Sequence, residues 1–186
     1  MAYSHCFLRL RTQKEVHAFE PSPENVEFLN RNIRTNRLRN VIVHSVAVCD
    51  KTEKLTKLYL RDSVGHSLLA AEIAAFTRAS HAVLPPTEKY IEVPSVTLQH
   101  IMDNMAIEEI GFLKIDCEGC EGSIFLSTPT EYLRRVKKIV VEFHDNCSPL
   151  THDAIQRLME EAGFKTRLYW GFGKDSPYGY LYGKRD

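Results

Sequence analysis

Short apolar runs alternate with amphipathic stretches along most of this chain, which predicts strands alternating with helices. The first apolar run, residues 16–19, ends at a Glu-Pro pair, and a Ser-Pro pair then starts a helix in the usual way. The apolar positions of that helix recur on one face at helical spacing, at Val26, Leu29 and Ile33. The pattern therefore opens with a strand followed by a helix.

The same periodicities divide the rest of the chain. Further strands are predicted over residues 41–48, 53–60, 90–96, 112–116 and 136–143. Helices are predicted over residues 68–79, 97–105 and 151–162, with another from Gly119. Residues 164–170 and 178–182 form a terminal hairpin. This order predicts a single α/β domain over residues 1–186, with a mostly parallel sheet and one antiparallel edge.

Composition and charge exclude only a few classes of function. The chain has 186 residues, 44% of them hydrophobic, and its 24 basic residues balance 24 acidic ones, so we expect no nucleic-acid partner. No apolar run approaches the roughly 20 residues of a membrane helix, and the N-terminus does not resemble a signal peptide. Five cysteines, an odd number, favour a reducing compartment, and we expect a cytoplasmic location.

The stretch from Phe112 to Glu121 carries the clearest chemical signal. A buried strand ends in Asp116, and a turn and a helix start follow at once, as in the active sites of open α/β sheets. Glu118 and Glu121 are three residues apart and are predicted to share one face of the first helical turn.

Cys117 and Cys120 lie in the same stretch and allow a minor alternative. A C-x-x-C pair at a strand-to-helix junction suits redox chemistry, and with His144 and Cys147 it offers four zinc ligands. The simpler interpretation is that both cysteines act as small hydrophobic residues.

Five motifs follow one another in a fixed order: Val16-His-Ala-Phe-Glu20-Pro21-Ser-Pro-Glu-Asn25, Gly65-His-Ser67-Leu, Val96-Thr-Leu98, Phe112-Leu-Lys-Ile-Asp116-Cys-Glu118-Gly-Cys-Glu121 and Val141-Glu142-Phe-His144. In this order they resemble the FkbM-type methyltransferases, which are class I S-adenosylmethionine-dependent enzymes. The resemblance runs from about Val16 to the C-terminal hairpin.

The resemblance implies a seven-stranded Rossmann-like sheet whose last strand is antiparallel. It also implies transfer of a methyl group from S-adenosylmethionine to a hydroxyl of a small molecule or sugar. Glu20 would bind the cofactor ribose, since a carboxylate can accept two hydrogen bonds from a cis-diol. The turn at Ser45, Val46 and Ala47 would lie near the adenine, and Asp116 would border both cofactor and methyl-transfer site.

Methyl transfer to a hydroxyl gains from a general base. His144 is our first choice, and strand alternation places Glu142 on the same face to orient it. Asp116 and His66 are the other candidates for the base. The resemblance places His66, Ser67, Glu118 and Glu121 near the substrate, and no metal is expected. The alternatives are that His144 makes a structural hydrogen bond and that the acidic residues stabilise a helix start.

One departure from the family pattern concerns the N-terminal segment. The glycine-rich turn after the first strand has no counterpart, because residues 1–64 contain no glycine. We expect the first strand to be missing, with residues 4–13 either a remnant of the next helix or, around Phe7, a strand filling the gap. The chain would then be a fragment or a degenerate paralogue, and an inactive relic or interaction module is the alternative function. An open sheet gap would favour association into oligomers.

Overall fold

The computed structural model describes residues 5–10, 15–60, 89–171, 173 and 176–185, with only the backbone for residues 5–10. The predicted helix over residues 68–79 lies outside these ranges, as do the candidate substrate residues His66 and Ser67.

The described residues form ten strands and five helices. The strands are β1 (His5–Leu10), β2 (Val16–Phe19), β3 (Val41–His44), β4 (Ala47–Val48), β5 (Glu53–Tyr59), β6 (Tyr90–Val96), β7 (Ile110–Asp116), β8 (Lys138–His144), β9 (Lys165–Trp170) and β10 (Tyr178–Lys184). The helices are α1 (Pro23–Thr35), α2 (Leu98–Asn104), α3 (Glu121–Ser127), α4 (Thr130–Leu133) and α5 (His152–Glu161). The expected alternation of strands and helices, and thus an α/β fold, is confirmed.

Seven strands form the main sheet in the order β3-β2-β1-β7-β8-β10-β9. Five of them run in one direction, while β1 and β10 run against their neighbours. The terminal hairpin is confirmed. Its last strand, β10, lies inside the sheet and β9 forms the edge, so the antiparallel strand is not itself an edge as predicted.

The N-terminal segment fills the centre of this sheet. Of the two alternatives for it, the strand is correct and the helix is wrong over residues 5–10. β1 pairs antiparallel with both neighbours, so that Phe7 is registered with Ala18 on β2 and with Lys114 on β7. The expected open gap is therefore closed, which removes the reason given for oligomer formation.

The single strand predicted over residues 41–48 is wrong. The chain bends at Ser45 between β3, in the main sheet, and β4, in a second sheet of order β4-β6-β5. β4 runs parallel to β6, with Ala47 registered with Ser95. Val46 and Ala47, which follow the bend, are partly and fully buried, so apolar residues stand on both sides of it. The hydrophobic pattern alone therefore could not locate the bend.

The core lies on one face of the main sheet. Ile139, Val141 and Phe143 point into it from β8, and Ile155 and Met159 pack from α5. Alternating residues of β8, including Glu142 and His144, therefore lie on the opposite face. This alternation sends the chemically active side chains away from the hydrophobic core.

Candidate active site

The strands that share one direction end at one edge of the main sheet, and the candidate residues lie there. Asp116 is the last residue of β7 and His144 the last of β8. Glu20 follows β2 directly, and Ser45 follows β3. Because the carboxyl ends of such strands meet at one edge, this arrangement agrees with the expectation from sequence.

Asp116, Glu142 and His144 come together at this edge, and we call them the strand-end triad. Each offers one possible ligand atom, and these atoms all lie within 4.8 Å of one another. Asp116 and His144 are buried, and Glu142 is partly buried. The three catalytic candidates thus form one group. The sequence analysis expected Glu142 and His144 to share a face, and the structure adds Asp116 to them.

Lys114 joins this group from the same face of β7. Its Nζ lies 2.6 Å from Asp116 Oδ2, in an ion pair that is 32% exposed on the lysine side. Burial first, and then the charge of Asp116, raise the pKa of Glu142 above its ordinary value. One lysine thus partly offsets two closely spaced carboxyl groups.

His144 lies between two further carboxylates. Its Nδ1 is 3.0 Å from Glu121 Oε1, and its Nε2 is 3.6 Å from Glu118 Oε2, which is too long for a hydrogen bond. The ring also packs edge-on against Tyr178, at 5.5 Å between centroids. These contacts fix the orientation of the imidazole.

The surrounding charges set the protonation of His144. Burial opposes its charge, but Glu121 and then the other acids outweigh burial and raise the pKa of His144 to about 9. Burial is likewise the largest influence on Glu121, yet His144 and backbone N–H groups lower the pKa of that carboxyl. Desolvation raises the pKa of Glu118. At neutral pH His144 is therefore mostly a cation held by the Glu121 carboxylate.

The turn between β7 and α3 corrects one prediction. Glu118 and Gly119 have φ values of 51° and 109°, so the helix begins at Glu121 and not at Gly119. Glu118 and Glu121 therefore do not share a helical face. The backbone N–H groups of Cys117 and Gly119 both donate to the fully buried Glu121 carboxylate, at 3.0 and 3.0–3.2 Å. The turn curls around that carboxylate and brings both acids to His144.

Glu20 occupies the buried end of β2 and is only 1% exposed. One of its carboxylate oxygens accepts the Ser22 N–H at 2.7 Å, and its own N–H donates to the His44 carbonyl at 3.0 Å. Ser45 is exposed beside it, Val46 is partly buried and Ala47 is buried. Glu20 and Ser45 thus follow the ends of the neighbouring strands β2 and β3, Val46 and Ala47 lead into β4, and Asp116 ends β7 at the same edge of the main sheet.

A stacked histidine pair beneath Glu20 was not predicted. His17 Nδ1 lies 3.0 Å from His44 Nε2, and the His44 ring also stacks on Phe19 at 4.6 Å. Burial lowers the pKa of both histidines. His44 lies opposite Phe19 in the register of the parallel strands β2 and β3, and His17 is two residues before Phe19 on the same face of β2. Only the strand register could have indicated this contact.

The cysteine alternative gains no support from the geometry. Cys120 Sγ lies 2.7 Å from Cys49 Sγ, and this contact, followed by burial, raises the pKa of Cys120 well above its ordinary value. A low thiol pKa is what redox chemistry needs. Among the described residues, the group with metal-ligand geometry is the strand-end triad, which contains no cysteine.

Lys114 is another residue of the site that the sequence analysis missed. Its signal was available, because Lys114 and Asp116 are two residues apart on one strand and must share a face. Tyr180 of β10 was also missed. It lies directly opposite Glu142, and only the register between β8 and β10 could have indicated this.

Comparison with known proteins identifies the family. Residues 2–166 match the methyltransferase FkbM domain. The chain belongs to this family. The resemblance expected from the five motifs is thereby confirmed.

Two further comparisons give measures of likeness. Methyltransferase 1 of Beauveria bassiana (strain ARSEF 2860) is 23% identical over 160 residues, covering 82% of this chain and 63% of that protein. The crystal structure of Methyltransferase FkbM from Methylobacillus flagellatus KT matches with a TM-score of 0.50 and 13% identity, covering 89% of this chain and 35% of that one. The second likeness shows the fold alone, and this chain spans less than two thirds of either protein.

Within the described parts of the chain, no helix is both long enough and apolar enough to cross a lipid bilayer.

Proposed function

We propose that this FkbM-family chain transfers a methyl group from S-adenosylmethionine to a hydroxyl of a small molecule or sugar, on a Rossmann-like class I fold. The observation that carries the proposal is the strand-end triad of Asp116, Glu142 and His144, with Glu20 at the same edge of the sheet, in a chain of this family. A row of acids and one imidazole at the carboxyl edge of a sheet suits the binding and deprotonation of a hydroxyl.

The residues present fit the cofactor on one side of its site. A buried carboxylate at the end of β2 suits ribose hydroxyls, and Ser45, Val46 and Ala47 lie next to it for the adenine. The other side of the cofactor site departs from the family pattern. There β1 is antiparallel to its neighbours, and the glycine-rich turn is missing because no glycine precedes Gly65. When bound, S-adenosylmethionine supplies an electrophilic methyl group, and Glu20 is the residue on which we place its binding.

The acceptor hydroxyl is proposed to bind at the strand-end triad. Glu142, whose pKa is raised by burial and then by the charge of Asp116, is a better proton acceptor than an ordinary carboxylate. His144 was our first choice of base, but with a pKa of about 9 it carries a proton at neutral pH. Its proposed role becomes that of a charged hydrogen-bond donor that orients the oxygen. Glu118 and Glu121 support it, with Glu118 nearer the substrate.

Several finer assignments stay proposals. The acceptor class rests on the family's usual chemistry. A cytoplasmic location agrees with four described cysteines that are all free thiols. We likewise propose that residues 1–186 form a single domain. The inactive relic remains the outcome to which a folded chain without cofactor binding would point.

The test is calorimetric titration of the chain with S-adenosylhomocysteine. We expect micromolar binding, and Glu20→Gln should weaken it on the order of 10- to 100-fold, since hydrogen bonds to a charged group contribute about 1.5–3 kcal/mol. Glutamine keeps an acceptor for the Ser22 N–H, so the start of α1 should survive.

Glu24→Gln is the matched control, because Glu24 is an exposed acid in the first turn of α1. It should bind S-adenosylhomocysteine like the parent chain. No binding by a folded parent chain would contradict the proposal. Equal binding by the Glu20→Gln and Glu24→Gln chains would move the cofactor site away from Glu20.

A further inference from the structure

We propose that the strand-end triad of Asp116, Glu142 and His144 binds a divalent cation of the manganese type. The three ligand atoms already lie within 4.8 Å of one another. Donors to one such ion sit about 2.0–2.3 Å from it and hence about 3–4 Å apart. Small side-chain rotations are therefore enough to enclose an ion.

The donor set selects the class of ion. Two carboxylates favour hard cations such as Mg²⁺ and Mn²⁺, whereas an imidazole favours first-row transition metals. Mn²⁺ accepts both kinds of donor. A mixed oxygen and nitrogen set without thiolate also disfavours ions that prefer sulfur, and no cysteine belongs to this group in the described chain.

His144 supplies an observation independent of the clustering of acids. It is 5% exposed, and its Nδ1 is engaged by Glu121, which backbone N–H groups of the β7–α3 turn hold in place. Its Nε2 is turned toward Glu118 at 3.6 Å, beyond hydrogen-bond distance. Histidines that ligate metals usually donate their second ring nitrogen to a carboxylate in this way, which fixes the ring for the ion. Because His144 is protonated at neutral pH, the ion must displace the proton on Nε2, which leaves to water as that nitrogen becomes a ligand.

The Lys114 ammonium group competes with the ion for the Asp116 carboxylate. Its ammonium lies 2.6 Å from Asp116 Oδ2 and neutralises part of the acidic charge. The lysine side chain is 32% exposed, so its head group can move toward water along a flexible stem. Binding of a cation is expected to displace it, and removal of the lysine should strengthen binding.

The consequence of the ion for the reaction, though not its binding, rests on the proposed methyl transfer. A hydroxyl bound to a divalent cation has a lower pKa, so its proton can leave to water or to the Glu118 carboxylate near neutral pH. Asp116 and Glu142 would then act as ligands, and the cation would replace them as the means of activating the hydroxyl.

The test is titration of the full chain with MnCl₂ in the absence of other ligands, with free Mn²⁺ followed by electron paramagnetic resonance. We expect one ion per chain. Asp116→Asn and Glu142→Gln should each weaken binding at least about tenfold, and Lys114→Met should tighten it. Glu92→Gln removes an exposed acid on β6 and should change nothing. Circular dichroism confirms that each variant is folded.

Two results would overturn the inference: no stoichiometric Mn²⁺ binding by the parent chain, or binding that persists unchanged in folded Asp116→Asn and Glu142→Gln chains. Titration of the same samples with S-adenosylhomocysteine separates the two proposals. Cofactor binding without Mn²⁺ binding leaves the methyltransferase proposal standing and removes the ion. Mn²⁺ binding without cofactor binding does the reverse.

Discussion

Glu121 is a fully buried carboxylate whose charge is balanced by the protonated ring of His144. Glu121→Gln keeps the shape but leaves a buried cation without its counter-charge. Removing one partner of a buried ion pair costs about 3–5 kcal/mol, and we expect a loss near the lower end because glutamine still accepts hydrogen bonds. Urea unfolding at neutral pH measures the free energy.

The exposed Glu131 of α4 provides the control. Glu131→Gln should change the free energy of unfolding by no more than about 0.5 kcal/mol. If the two substitutions cost the same, the pairing of Glu121 with His144 contributes nothing to stability, and the assigned charge of His144 is wrong.

The histidine pair under Glu20 predicts how stability depends on pH. Burial first, and then His17, lower the pKa of His44 below its ordinary value of 6.5. The unfolded chain therefore takes up a proton at a higher pH than the folded chain does. The free energy of unfolding should fall as pH drops below about 6.5.

His44→Gln removes this titrating group and keeps an acceptor for His17. Its free energy of unfolding, from urea titrations at several pH values between about 7 and 5, should decline less steeply than that of the parent chain. Identical slopes for the two chains would show that His44 contributes no pH dependence.

At the scale of elements, two helix starts that look alike in sequence differ in the structure. Thr97 precedes α2 and Thr151 precedes α5. Thr97 Oγ1 accepts the His100 N–H at 3.0 Å, whereas the Thr151 side chain makes no capping hydrogen bond. Thr97→Ala should cost about 1 kcal/mol, and Thr151→Ala clearly less, in denaturant unfolding. Equal costs would show that the observed bond adds nothing.

These caps show how far sequence could define the elements. Periodicity and capping residues located β2, α1, β7 and α5, because each is set by local apolar spacing. The start of α3 was missed because it depends on the backbone at Glu118 and Gly119, whose left-handed φ values delay the helix until Glu121. The bend at Ser45 was missed because both sides of it are apolar.

At the scale of the whole molecule, the strand-end triad was predictable because strand direction alone brings Asp116 and His144 to one edge. Alternation along β8 then adds Glu142. The contacts that set the charges around the strand-end triad and Glu20 were not predictable. Glu121 reaches His144 only because a tight turn curls back, and the His17–His44 pair requires the register of two strands. Long-range register is what a single sequence specifies least directly.

The central position of β1 is the feature of the whole molecule that most needs a test. Sequence left residues 4–13 open between a helix and a strand, and the structure places His5–Leu10 between β2 and β7. A strand with neighbours on both sides has its amides in two ladders, whereas the edge strands β3 and β9 leave one side open.

Hydrogen exchange measured by mass spectrometry should therefore find residues 5–10 protected to nearly the degree of Ile110–Asp116, and more strongly than the edge strand Val41–His44. The edge strand serves as an internal control in the same sample. Fast exchange of residues 5–10 alongside a protected β7 would mean that β1 is not held in the sheet. The strands β2 and β7 would then lose their shared partner, and the proposed cofactor site at Glu20 would lie next to an open gap in the sheet.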